Sequence, residues 1–351
     1  MAERTRLRAR AGYRRARKLR RERRGVVAVV GTLLSLLVFF ALFGIFLTQY
    51  VPLWMTQNES QLSNGLIESL ALLKSGVDDQ YLLGGIPSYS VPFTVSSQSV
   101  PLFAQPTVAT LAYLAGCPSG FLSGGTPDEI GSCAYESLAY TDPAIAGDPA
   151  PHGYGETAAS NFLEVSVPNR YYPPVVYYFL NDAVVGEVSS THQWTAVPPP
   201  LNVSKTPGNL SVQTSQLVLL GNASSFTSIG SKDVTSHLLS HSVISSEARF
   251  LTATSTPRTF KLTLTVGVFG LCAWYNYFEN TTAAALGAAG ATNGWWLNLT
   301  GASGTVTPPL TQADCVAGAS STFDVKLTIL KVNYASSFVA EDVLSFNAGG
   351  L

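Results

Sequence analysis

No charged residue falls between Val26 and Leu47, and sixteen of those positions are Val, Leu, Ile or Phe. As a helix the run would be about 33 Å long, against a hydrocarbon core of about 30 Å. At roughly 0.3–0.6 kcal/mol per apolar residue, insertion into a bilayer is favourable by about 5–10 kcal/mol. Gly31, Thr32, Ser35 and Gly44 do not overturn that sum. A transmembrane helix is therefore expected, and a buried core helix is the weaker reading.

The flanks give the span a direction. Residues 1–25 hold eleven Arg and Lys18 against Glu3 and Glu22, a net charge of +10. The whole chain has a formal charge of -1, so the remainder carries -11. A basic block that runs straight into an apolar span follows the positive-inside pattern, with the N-terminus cytoplasmic and the rest outside. A nucleic-acid-binding arm fits less well for the same reason. A cleaved secretory signal would have a shorter apolar run and a small-x-small site behind it. The residues that follow, "LTQYVPLWM", offer no such site, and the lipobox-like "LAGC" at Leu114–Cys117 lies far from any export signal.

The junction Arg23–Arg24–Gly25 followed by Val26 resembles a class III, prepilin-type signal, which is cut before the apolar helix so that the helix stays on the mature chain. "GVVAVVGTLLSLLVFFALFGIFLTQY" looks like the N-terminus of archaeal type IV pilin-like surface proteins. The similarity runs more faintly through "QNESQLSNGLIESLALLKSGVDD". "VPLFAQPT", "VPNRYYPP" and "AWYNYF" resemble the heads of membrane-anchored archaeal proteins with no known activity. The resemblance implies a prepilin-peptidase-like processing enzyme acting at Arg23, Arg24, Gly25 and Val26. One departure is Val30, which would be mature position five, where bacterial type IV pilins carry Glu.

Pro52 is expected to kink or end the membrane helix near Tyr50, with Tyr50 and Trp54 at interface depth. A second, amphipathic helix is expected from about Thr56 to Ser75, with Gly76 as its stop. Leu62, Leu66, Leu70 and Leu73 form its apolar stripe, widened by Ile67, while Glu59, Glu68 and Lys74 are expected to point elsewhere. Packing of that stripe on the head is the favoured reading over packing on a neighbouring subunit.

From about residue 80, Gly, Ser, Thr and Pro punctuate short runs rich in Val, Tyr, Phe and Leu, which argues for antiparallel β structure. Strand candidates are 162–167, 175–180, 210–220, 259–269 and 322–332. Turns are expected at Asn181–Asp182 and Asn293–Gly294. Residues 133–160 read as a long surface loop, "SHLLSH" as a small helix, and 194–208 as an internal linker. The expected architecture is a transmembrane helix, a short amphipathic helix, then a mainly-β extracellular head, antiparallel and sandwich-like, in one or two units. The expected divisions are 1–25 leader, 26–50 span, 51–78 stalk, 79–198 first β unit and 199–351 second.

Four cysteines, Cys117, Cys133, Cys272 and Cys315, show no zinc spacing and in an exported chain read as disulfides. Local pairing, Cys117–Cys133 and Cys272–Cys315, would contribute roughly 3 and 4 kcal/mol, and the other two connectivities stay open. Glycan acceptor sequons occur at Asn58, Asn202, Asn209, Asn222, Asn280 and Asn298, with Asn209, Asn222 and Asn280 the foremost. His237 and His241 would share a helix face, but Leu238 replaces the Glu of H-E-x-x-H and no third ligand has a telling spacing. The aromatic clusters at 169–179, 273–278 and 295–296 could stack sugars, although strand aromatics more often fill cores. No nucleophile elbow, phosphate loop or dinucleotide fingerprint is present.

The sequence therefore points to a non-catalytic surface or pilin-like subunit without cofactor or metal. It would be single-pass in the cell membrane, delivered by a Sec-type translocon, in contact with membrane lipid, and with pilus or envelope subunits as candidate partners. An uncleaved anchor whose head binds glycan or an envelope protein is the alternative, and a tethered hydrolase a more distant one.

Overall fold

The computed structural model describes residues 29–83, 88–100, 104–114, 134–141, 158–188, 192–207, 209–245, 258–266, 271–301, 304–306, 323–332 and 334–347. The chain forms two compact units. Of the described residues, one unit takes 29–56, 100 and 104–105, and the other the rest.

In the first unit, α1 (residues 29–45) runs into a π-helical turn, Phe46–Tyr50, and on into α2 (Val51–Leu83). Pro52 does not end the helix. The N–H of Val51 bonds to the carbonyl of Phe46, so the hydrogen-bond register has shifted one turn before proline's missing donor is met. The apolar side chains of α1 face outward, with Leu34 63% and Leu37 68% exposed. A small cluster of Val51, Met55 and Val100, with Phe46 and Ala104 against it, is buried in this unit.

The second unit is built on three sheets. In the first, β1 (Ser88–Thr94), β12 (Ser231–Ser245), β17 (Tyr334–Asn347), β10 (Asn209–Leu220) and β9 (Asn202–Thr206) lie side by side in that order. The second runs β11 (Ser224–Thr227), β2 (Thr110–Leu114), β5 (Phe162–Val167), β6 (Val175–Leu180), β7 (Ala183–Val188) and β8 (His192–Val197). The third runs β15 (Gly304–Val306), β14 (Trp295–Gly301), β16 (Phe323–Val332), β13 (Arg258–Val266), β3 (Ala134–Thr141) and β4 (Ala158–Ser160). Among the described residues all strand pairings are antiparallel except β10 with β17, which are parallel. Each sheet draws strands from both sides of residues 198–199, and 194–208 contributes β8 and β9 rather than a free linker.

The second sheet explains why "VVYYFL" lacks polar alternation. Val175, Tyr177 and Phe179 enter one core, together with β1, β2, β10, β12, β17 and α2. Tyr178 and Leu180 enter the other, with β13, β14, β16 and α3 (Leu271–Leu286). A strand covered on both faces needs apolar side chains at successive positions. Asn181 and Asp182, both at positive φ (47° and 59°), make the tight β6–β7 turn that the sequence indicated.

Several elements differ from the sequence reading. Residues 134–141 are β3, paired centrally with β13, not loop. "SHLLSH" is strand within β12, with a register shift between Leu238 and Ser240. "AWYNYF", for which the sequence suggested no helix, belongs to α3, where Trp274, Tyr275 and Phe278 are buried. Asn293–Gly294 closes a turn from α3 into β14, bridged Gly290 to Trp295, instead of a hairpin between two strands.

Helix α2 continues past Gly76 to Leu83. Gly76 is needed for close approach: a Cβ there would lie 1.9 Å from Tyr89 Cδ1 and 2.5 Å from its Cγ. Gly76→Ala is expected to cost about 1–3 kcal/mol by overpacking, read as a lowered denaturation midpoint. A second substitution, Tyr89→Ala, should recover part of that loss; no recovery would mean the clash is not its cause.

Candidate functional site

The face that α2 turns to the β strands combines an apolar stripe with buried polar groups. Leu62, Leu66, Leu70, Leu73 and Val77 are buried in the core shared with β1, β2, β5 and β6. The expected packing of this stripe on the head is thus found. Glu59, Lys74 and Gln80, however, are also buried, Glu59 and Gln80 completely. Glu59 and Lys74 therefore do not point away from the core as expected; Glu68 does.

Each buried polar group has a dedicated receptor. Glu59 accepts backbone hydrogen bonds from Arg170 N (3.1 Å), Tyr171 N (2.7 Å) and Tyr172 N (2.7 Å), and one from Thr107 Oγ1 (2.5 Å). One turn on, Ser63 Oγ accepts from Asn169 Nδ2, which also donates to the carbonyl of Pro173. The loop "PNRYYPP" is thereby folded around one carboxylate. Burial alone would raise the Glu59 pKa, but the four donors outweigh it and hold the carboxyl below its ordinary value.

Farther along α2, Lys74 Nζ lies 2.6 Å from Asp78 Oδ2 and 3.2 Å from Asp182 Oδ1. Asp182 sits at the β6–β7 turn with no exposed surface and accepts from Ser215 Oγ at 2.5 Å. Burial, reinforced by the Asp78 charge, pushes its pKa up to about 7 against the opposing pull of Lys74 and Ser215. Burial would lower the Lys74 pKa, but Asp182 and Asp78 raise it. At the end of the stripe, Ser236 Oγ is 2.6 Å from Gln80 Oε1 and 2.5 Å from Asp342 Oδ2. Burial holds Asp342 above the usual carboxylate range. Ser236 Oγ lies within donating distance of both acceptors, Gln80 Oε1 and Asp342 Oδ2, and its single hydrogen serves one of them at a time.

The residues singled out from sequence fall elsewhere. Arg23, Arg24, Gly25 and Val26 lie outside the described residues, as do Cys117, Cys133 and Cys315. Cys272 is disulfide-bonded. Asn202, Asn209, Asn222, Asn280 and Asn298 are exposed; Asn58 is half-buried, its Nδ2 donating to the carbonyl of Gln98 at 3.0 Å. His237 and His241 are exposed on a strand, and among the described residues no group of three His, Cys, Asp or Glu could hold a metal. The aromatic clusters are mostly core: Tyr177, Tyr178, Trp274, Tyr275 and Trp295 are buried, and Trp295 Nε1 donates to the carbonyl of Gly287. Ser236 and Asp342 were not foreseen, because nothing local marks two residues from different strands as neighbours.

These features define a β-rich head whose core is completed by a helix continuous with an apolar segment long enough to cross a membrane. Comparison with family models, with characterised proteins and with solved structures gives no match.

Glu59→Gln replaces an acceptor of four donors by an amide with a single acceptor atom, and is expected to cost about 3 kcal/mol at neutral pH. Because the folded carboxyl titrates below its unfolded value, its contribution is complete above the ordinary value of 4.5 and is lost as pH falls through the folded pKa. The stability gap between wild type and variant, measured by denaturant unfolding, should therefore narrow with acidification.

Proposed function

We propose that this chain is a non-catalytic cell-surface subunit, held in the membrane or assembled into a pilus-like structure through its N-terminal helix, with the β head outside. The supporting observation is the division of labour along one helix. Residues 29–50 expose apolar side chains, while the same helix from Gln57 onward completes the head's core. A helix without a break between Val29 and Gln80 gives a protease no loop behind the span, which favours a retained stalk over a discarded signal. The basic leader, carrying a net +10, sets the N-terminus inward.

In this reading a Sec-type translocon delivers the chain and a prepilin-peptidase-like enzyme cuts between Gly25 and Val26. The resemblance to archaeal type IV pilin-like proteins rests on that junction and on the span. Adhesion or contact with envelope subunits is the role of the head, and the exposed sequons are its glycan acceptors. The second reading is an uncleaved single-pass protein whose head binds glycan or an envelope partner. Tyr171 is exposed, but the burial of most of the other clustered aromatics favours the first reading.

N-terminal mass analysis of the membrane-extracted native protein separates the two. A mature start at Val26 is expected; an intact Met1 or Ala2 would remove class III processing and leave the leader as a cytoplasmic flank. Glycopeptide mapping is expected to find occupancy at the five exposed sequons ahead of Asn58, and dominant occupancy at Asn58 would contradict that order.

A further inference from the structure

Lys74, Asp78 and Asp182 form a cluster in which an amine meets two carboxyls inside the second unit. Lys74 Nζ is 3.2 Å from Asp182 Oδ1, and the carboxyl carbon lies one bond beyond. Reacting groups held at about 3–3.5 Å behave as if at very high effective concentration. The reacting pair is largely withdrawn from solvent: the Lys74 side chain is 7% exposed and Asp182 is fully buried. Burial and the neighbouring Asp78 carboxyl both favour the protonated form of Asp182. Ser215 Oγ donates to the second oxygen of Asp182. Asp78, with 26% of its side chain exposed, connects the cluster to solvent.

We infer that Lys74 and Asp182 form an intramolecular isopeptide bond, with Asp78 as the proton relay. Asp78 takes a proton from the Lys74 ammonium across the 2.6 Å hydrogen bond. The free amine attacks the carboxyl carbon of protonated Asp182, and Ser215 stabilises the oxygen that gains charge. Asp78 passes its proton to the departing hydroxyl, the C–O bond breaks, and one water leaves. The N–C bond formed is an amide, the remaining amine proton returns through Asp78, and no oxidant or cofactor is consumed. The product replaces two buried ionisable groups by one neutral amide, removing the desolvation penalty that a buried ion pair carries. It ties α2 to the β6–β7 turn covalently.

Burial pushes the Asp182 pKa up to about 7, in the direction this route needs, while the two carboxyls hold Lys74 as the ammonium from which Asp78 must take a proton. The other two polar receptors on α2 offer nothing comparable. Glu59 faces backbone N–H groups and a hydroxyl, and Gln80 faces the hydroxyl and carbonyl of Ser236; neither set includes an amine.

The test is peptide mapping by mass spectrometry of the reduced, deglycosylated full chain. The expected result is a branched species joining the Lys74 and Asp182 segments, lighter than their sum by the mass of one water, with trypsin failing to cut after Lys74. Recovery of a linear peptide ending at Lys74, with the Asp182 peptide at its unmodified mass, would overturn the inference. Lys74→Arg should abolish the branched species. Asp78→Asn keeps both reacting groups and should slow linkage by about a hundredfold or more. Linkage at the wild-type rate in that variant would overturn the relay assigned to Asp78.

Discussion

The docking of α2 into the β sheets is the constraint on which the rest of the head depends. Its leucine stripe supplies one wall of a core whose other walls come from β1, β2, β5, β6, β10, β12 and β17, strands scattered over the whole length of the chain. Removing one such leucine would cost about 2–5 kcal/mol. The apolar contacts alone do not fix the register of the helix, because a stripe of similar leucines tolerates sliding. Three buried polar groups fix it. Glu59 meets the four donors of Thr107 and residues 170–172, Lys74 the two aspartates, and Gln80 the hydroxyl and carbonyl of Ser236. A shift by one turn would strand a charge in the core, and a buried unpaired charge costs several kcal/mol.

The second sheet is the other organising element. Because its two faces feed different cores, it couples α2 on one side to α3 and the third sheet on the other. The Asn181–Asp182 turn lies where these demands meet. It reverses the chain between two buried strands, and its aspartate receives Lys74 from the helix. A residue type usually chosen for turns because it tolerates positive φ here also carries the buried carboxyl.

Much of this was legible in the residues. The span, the leucine stripe, the Asn181–Asp182 turn and the strands at 162–167 and 175–180 follow from apolar periodicity and turn chemistry. Glu59 and Gln80 carried a readable signal too. With Leu62, Leu66, Leu70, Leu73 and Val77 they continue one series of three- and four-residue steps, so they occupy core positions despite their polarity. α3 was hidden because Trp274, Tyr275 and Phe278 are strand-favouring residues, and β3 because Pro- and Gly-rich neighbours surround it. Packing overrode intrinsic preference in both cases.

The sequence by itself determined which segment is apolar enough to cross a membrane, which end carries the positive charge, and that a β-rich body follows. These are properties of local composition and period, and they need no partner. Only the tertiary structure decided that Lys74 meets Asp182, that Glu59 gathers the loop at 169–174, and that β10 pairs with β17 in parallel. Such pairings join residues a hundred or more positions apart. No local pattern encodes them, because each exists only once the chain has paid the entropy of closing the loops between them.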